Sequence, residues 1–242
     1  MNSLLPKFHV VDPYEGFVPP PDSNNEEFQL GHGIMGGASP LFREIVSQVR
    51  PYVAVEVGSW LGGSAVTTAK AMQELCSPGC GLLCVDPWTG LEVFWDPSKP
   101  GAQAMLRLKN GYPQLYYYFL ANIVKFGVQD VVVPLPLCSV NAAEACQLLG
   151  VVPDLVYIDG LHDEYSTWHD IEAWRKAMSP SAVIFGDDYW AKDSAVGRAV
   201  HTHFNDGIWT FNWRDINGVV QPSRFWVYGG DRIDLSSLEA DG

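Results

Sequence analysis

The chain has 242 residues, 47% of them hydrophobic and 18% charged, a balance that suits one large α/β domain and excludes a disordered polypeptide. Its formal net charge of −13, from 28 acids against 15 bases, argues against nucleic acid or an anionic membrane as partner, because both require clustered Lys and Arg. No apolar run approaches the ~20 residues of a membrane helix, the start lacks a secretory pattern, and an odd count of five cysteines reads as reduced thiols, so a cytoplasmic protein is expected.

In chain order, residues 1–38 begin rich in Pro, Asn and acid and read as an arm or lid. "SPLFREIVSQV" follows as a helix, with Ser39 capping, Pro40 in the first turn, and Leu41, Ile45 and Val49 at helical spacing. The pattern then alternates. "YVAVEVG" is a strand, "GGSAVTTAKAMQEL" a helix and "GLLCVDPW" a strand. After an aromatic, proline-containing connection, "YPQLYYYFLANIVKFG" is a helix and "VVVPLPL" a strand. "VNAAEACQLLG", "YSTWHDIEAWRKAM" and "SAVGRAVHTHF" are helices, with the strands "PDLVYIDG" and "SAVIFGDD" between them. Two strand-like runs finish the pattern, "GIWTFNWRD" and "SRFWVYGG", separated by a stretch holding the turn pair Asn217-Gly218. Apolar strands alternating with helices predict a doubly wound, mostly parallel sheet. Five parallel strands and a C-terminal antiparallel hairpin make it seven-stranded, over a domain spanning 39–230, with 231–242 as a tail.

In such sheets ligands lie beyond the carboxyl ends of the strands. The first strand ends in "EVGSWLGGSA", the second in "VDPW", the fourth in "YIDGLHDE" and the fifth in "GDDYW". The glycine-rich turn from Glu56 through Gly58, Ser59, Gly62 and Ser64 is neither G-x-G-x-x-G nor a P-loop. By itself it is a tight strand-to-helix turn. With Asp86 closing the next strand, it favours a nucleotide-like cofactor.

The E-x-G-x-x-x-G spacing resembles the first motif of class I S-adenosylmethionine-dependent methyltransferases, which have a Rossmann-like fold. Residues 40–228, and most specifically "YIDGLHDEYSTWHDIEAWRKAMSPSAVIFGDDYW", are similar to the metal-dependent small-molecule O-methyltransferases of catechol, macrolide and sugar type, a group that includes cephalosporin-hydroxylase-like proteins. The resemblance implies cofactor contacts at Glu56, Gly58, Ser59, Gly62, Ser64, Asp86, Ser139 and Asp159. Ser64 would hold the cofactor carboxylate, Asp86 the ribose and Ser139 the adenine edge. It also implies a metal held by Asp159, Asp187 and Asp188. All-oxygen ligands favour Mg²⁺, with Mn²⁺ or Ca²⁺ as substitutes. His162, on the loop after Asp159, would be the base; the catechol type has a lysine there, so this chain departs toward the sugar and macrolide type. Catalysis would rest on His162 and Asp159.

The expected activity is methyl transfer from S-adenosylmethionine to a hydroxyl of a small sugar, glycoside, polyketide or phenol. The aromatic connection over 88–120 and "GHGIMGG" of the arm are candidate lids over that acceptor. A metal-independent methyltransferase, a non-catalytic cofactor-binding protein and, more distantly, a nicotinamide enzyme remain open, as does a homo-oligomer. Hydroxylase chemistry is disfavoured, since the carboxylate cluster lacks the two histidines of a facial triad.

Overall fold

Five runs buried at every position form the parallel strands: β1 (Val53–Val57), β2 (Gly81–Val85), β3 (Val132–Leu135), β4 (Leu155–Ile158) and β5 (Val183–Gly186). Apart from Glu56 in β1 they carry no charged residue, because helices cover both faces of the sheet. The computed structural model describes residues 2–25, 39–210, 213–214, 220–221, 224–229 and 232–236. Its helices are α1 (Leu5–Phe8), α2 (Pro40–Val49), α3 (Gly63–Leu75), α4 (Pro100–Ala104), α5 (Leu115–Lys125), α6 (Ser139–Leu148), α7 (Glu164–Ala177) and α8 (Ala195–Phe204). One core layer joins α2, α3 and α5 through Ile45, Met72 and Phe119. The other joins α6, α7 and α8 through Cys146, Trp174 and Val200.

Ser39 caps α2 as the sequence indicates, accepting from the Leu41 amide. Asp163 caps α7 by accepting from Ser166 N, which fixes the loop carrying His162 to the start of that helix.

The sheet order is β3-β2-β1-β4-β5-β8, where β8 (Trp226–Tyr228) runs antiparallel to β5. The order reverses between β1 and β4, so the crevice for a ligand opens above their carboxyl ends. The doubly wound reading holds, with a difference at the C-terminus. The described sheet has six strands, and of the run 207–215 the described residues contribute to it one bridge, Trp209 with Val227. A separate two-stranded ribbon pairs β6 (Trp213–Arg214) with β7 (Val220–Gln221). The Asn217-Gly218 turn and the "GHGIMGG" segment lie outside the described residues.

The N-terminal arm meets β3, an edge strand of the sheet, through His9 and Tyr14. Pro134 has no N–H to offer there, and the Val132 amide donates to Val128 O at 3.0 Å. The two outward carbonyls are met by the arm: Tyr14 Oη donates to Val132 O at 3.2 Å, and a ring nitrogen of His9 to Pro134 O at 2.6 Å. The edge is thereby closed to strand addition. Replacing Tyr14 with Phe strips one buried carbonyl of its donor and should cost about 1–2 kcal/mol. Urea unfolding checks this, and an unchanged midpoint would show that the contact contributes nothing.

Candidate functional site

Both tryptophans that flank the second strand end adopt left-handed backbone, with φ of 44° at Trp60 and 50° at Trp88. That conformation aims their amides at Asp86: Trp60 N donates to Oδ2 at 2.9 Å and Trp88 N to Oδ1 at 2.6 Å. The Trp88 indole also donates to Trp60 O at 2.7 Å. Trp88 is 1% exposed and packs on Tyr116 and Phe119, so it serves the core. Trp60 faces the cavity and lies tilted on Phe94. Burial raises the Asp86 pKa, against the pull of the two amides. Each of its oxygens keeps a lone pair for a hydroxyl.

Gly58, at φ +85°, has a reason internal to the fold. A Cβ there would lie 1.8 Å from the carbonyl oxygen of Asp159, so β1 and β4 can approach at the switch point only with glycine. Gly62, at φ +90°, opens α3 against Phe119.

A cavity of about 760 Å³, within the range of small-molecule sites, lies above these strand ends. Gly58, Ser64, Asp86, Ser139 and Asp159, all expected cofactor contacts, line it together with His162, Asp187 and Asp188. Three other expected contacts, Glu56, Ser59 and Gly62, stand outside its lining. Glu56 is 1% exposed within β1, and neither of its carboxylate oxygens finds a hydrogen-bond partner among the described residues.

At one end of the cavity the acids gather. Asp159 and Asp188 each offer an oxygen, and His162 a nitrogen, with all three atoms within 4.8 Å of one another. His162 Nδ1 lies 2.5 Å from Asp188 Oδ2. Arg224, reaching in just before β8, pairs with the other oxygen of Asp188 and places Nε 3.5 Å from Asp187 Oδ1. Its guanidinium also covers the Trp190 ring at 4.7 Å. Asp187 Oδ1 accepts the Asp188 amide at 2.7 Å, so Asp187 is not one of the three converging groups.

Asp159 is held from below. Tyr157 Oη donates to its Oδ2 at 3.0 Å, and the Tyr157 ring is stacked on Phe185. Burial, then the charge of Asp187, pushes the Asp159 pKa up to about 7. The hydrogen bond to Asp188 raises that of His162. Burial works to raise Asp188 itself, yet His162 and Arg224 outweigh it and the net shift is downward. Asp187 is raised, chiefly by burial.

Among the cavity residues that the sequence does not single out are Asp170 and Arg224. Asp170 is an acid on the stripe of α7 that otherwise buries Thr167, Ile171, Trp174 and Ala177, and a carboxylate on a buried stripe is the signal that could have found it. Arg224 stands at the start of an ordinary apolar run and gives no local signal.

Residues 55–189, more than half of the chain, match the family model described as a methyltransferase domain. Three solved structures are similar in fold. The O-methyltransferase TomG from Streptomyces achromogenes, involved in tomaymycin synthesis and solved with SAM, is 14% identical over 77% of this chain and 76% of its own, with a TM-score of 0.51. An O-methyltransferase from Bacillus cereus solved with SAH is 14% identical over 92% and 97%, with a TM-score of 0.51. CalS11, a TDP-rhamnose 3'-O-methyltransferase of calicheamicin biosynthesis, is 18% identical over 79% and 78%, with a TM-score of 0.52. No curated protein sequence matches this chain.

Glu56 offers a direct test of the floor beneath the site. Burial, reinforced by the charge of Asp159, pushes its pKa up to about 8 from 4.5. The folded chain therefore keeps a proton that the unfolded chain releases, and stability is lost as pH rises through that window. Glu56→Gln cannot titrate. Its stability relative to wild type should climb between pH 5 and pH 8.5 by an amount on the order of a few kcal/mol. Thermal unfolding at both pH values decides it, and a pH-independent difference would refute the buried, unpaired carboxyl.

Proposed function

This chain belongs to the methyltransferase-domain family, and on that premise we propose that it transfers the methyl group of S-adenosylmethionine to a hydroxyl of a small molecule. One observation carries the reading: a single cavity joins the Asp86 and Ser139 wall, suited to a nucleoside, to a histidine set among carboxylates, suited to activating a hydroxyl. The SAM and SAH bound to the similarly folded TomG and Bacillus cereus enzymes support the same donor.

A hydroxyl is a poor nucleophile until its proton leaves. Asp188 holds His162 through Nδ1, which leaves Nε2 to take that proton. Asp159, fixed by Tyr157, faces the same point from β4 and orients the acceptor. Trp60, Gly90 and Leu91 supply apolar lining to the same cavity.

Two carboxylates and an imidazole within 4.8 Å suit a divalent metal, and Asp159 and Asp188 would hold it, with Asp187 set back by Arg224. With an imidazole in reach the set is not all-oxygen, which brings Mn²⁺ level with Mg²⁺. When bound, such an ion supplies positive charge that stabilises the alkoxide or phenolate. A metal-free second reading is favoured by Arg224, whose guanidinium already faces both Asp187 and Asp188.

The test is transfer of labelled methyl from S-adenosylmethionine to a panel of sugars, glycosides and phenols. His162→Ala should lower the rate by about 10²–10⁴-fold with the donor still bound, as expected for loss of a general base. Chelation should abolish turnover and Mg²⁺ or Mn²⁺ restore it; activity untouched by chelator would establish the second reading. Wild-type rates in the His162→Ala variant would remove the base.

A further inference from the structure

Asp188 is engaged at both of its oxygens. Oδ2 faces His162 Nδ1 at 2.5 Å, and Oδ1 pairs with Nη2 of Arg224. Tyr157, by contrast, engages Asp159 only at Oδ2. Of the two carboxylates that would hold a divalent ion, one therefore has an oxygen to offer outright, whereas the other already serves a cation. A carboxylate has roughly four acceptor positions, so this pairing does not close Asp188 to an ion. It does set a positive charge beside the place where the ion would sit.

The seat of Arg224 is incomplete. Its Nε is buried yet makes no hydrogen bond among the described residues; it stands 3.5 Å from Asp187 Oδ1, an oxygen that already accepts the Asp188 amide. A permanent ion pair in such a place gains most when every donor is satisfied, and this one leaves a donor desolvated and unpaired. The backbone is fixed, since Arg224 O accepts from Tyr189 N at 2.8 Å. The side chain is less confined: it is 28% exposed, and its guanidinium covers the ring of Trp190, a residue that is 63% exposed. An indole face attracts a cation without any carboxylate, so the guanidinium has a resting place beside the acids when Asp188 turns to another charge.

We propose that Arg224 is a resident counter-ion that competes with the divalent metal for Asp188 and thereby sets how tightly the metal is held. The inference rests on the reading of Asp159 and Asp188 as ligands. Before a metal binds, the guanidinium offsets the repulsion among the acids; once it binds, the same charge opposes the ion. Metal affinity is then a difference between two cations at one carboxylate, and it rises when the weaker competitor is removed.

The experiment is titration of the full chain with Mn²⁺ at one fixed pH, without donor or acceptor, free Mn²⁺ being read by electron paramagnetic resonance. Arg224→Met, which keeps an apolar stem over Trp190 but not the charge, should bind Mn²⁺ at least about 10-fold more tightly than wild type. Arg43→Met changes the net charge equally, but Arg43 pairs with Glu74 near the end of α3 remote from the strand ends that carry the acids, and its affinity should stay within about 2-fold of wild type. Thermal unfolding gives a second reading: without metal Arg224→Met should melt below wild type, and Mn²⁺ should raise its midpoint by more than it raises that of wild type. An affinity in Arg224→Met equal to or weaker than that of wild type overturns the inference and leaves the metal site standing. So does an equal gain in Arg43→Met, which would mark a long-range effect of net charge. Should Arg224→Met not fold, Arg224→Gln, whose amide can still donate to Asp188, decides by the same criterion. Binding of Mn²⁺ by neither wild type nor variant sinks the metal reading itself, a distinguishable result.

Discussion

Asp159, Asp187 and Asp188 are delivered to one edge of the sheet by β4 and β5, adjacent parallel strands in which Ile158 pairs with Gly186. Strands lie about 4.8 Å apart, and two unit charges near 4 Å repel by about 4 kcal/mol at an effective dielectric of about 20. The neighbouring groups answer that repulsion one by one. Arg224 pairs with Asp188 and approaches Asp187, His162 takes the other oxygen of Asp188, and Tyr157 donates to Asp159. Asp187 is further held by its neighbour's amide.

Holding this arrangement takes backbone strain as well as charge compensation. Asp188 has φ +56°, and Trp60 and Trp88 are also left-handed; each such non-glycine residue costs about 1 kcal/mol or more. At Trp60 and Trp88 the strain points two amides at Asp86. At Asp188 the αL turn lets its own amide reach Asp187 while its carboxylate faces His162 and Arg224. These three residues thus sit in the loops that follow β1, β2 and β5, where hydrogen bonds to Asp86 and Asp187 fix them.

Much of the frame was legible because buried parallel strands announce themselves as short apolar runs and the capping residues Ser39 and Asp163 act locally. Asp86, Asp159 and Asp188 were legible for a related reason: each closes such a run, and topology alone brings strand ends to one edge. What could not be read depended on contacts distant in sequence. Gly58 is explained by Asp159 a hundred residues on, and Arg224 reaches the acids from beyond the last helix. The strand-like run 207–215 suggested a full strand, but the described residues join it to β8 only through Trp209 and Val227. Glu56 and Ser59 belong to the same turn as Ser64, and sequence adjacency could not show that the first two side chains fall outside the cavity lining and the third within it.

The compensation by Arg224 and His162 also bears on how methyl transfer would run here. A sulfonium donor and an alkoxide acceptor lose their charges together as the methyl group moves, so a site that bound the cation with three bare carboxylates would stabilise the starting state most. Preferential stabilisation of the starting state tightens binding and lowers turnover. A guanidinium over Asp187 and Asp188 reduces the negative field while leaving the orientation of His162 through Asp188 intact. In such a reaction Arg224 would do more than relieve repulsion between neighbours: it would bring the field at the reacting atoms closer to what a charge-cancelling step requires, and from an element that the matched methyltransferase domain, ending at residue 189, does not include.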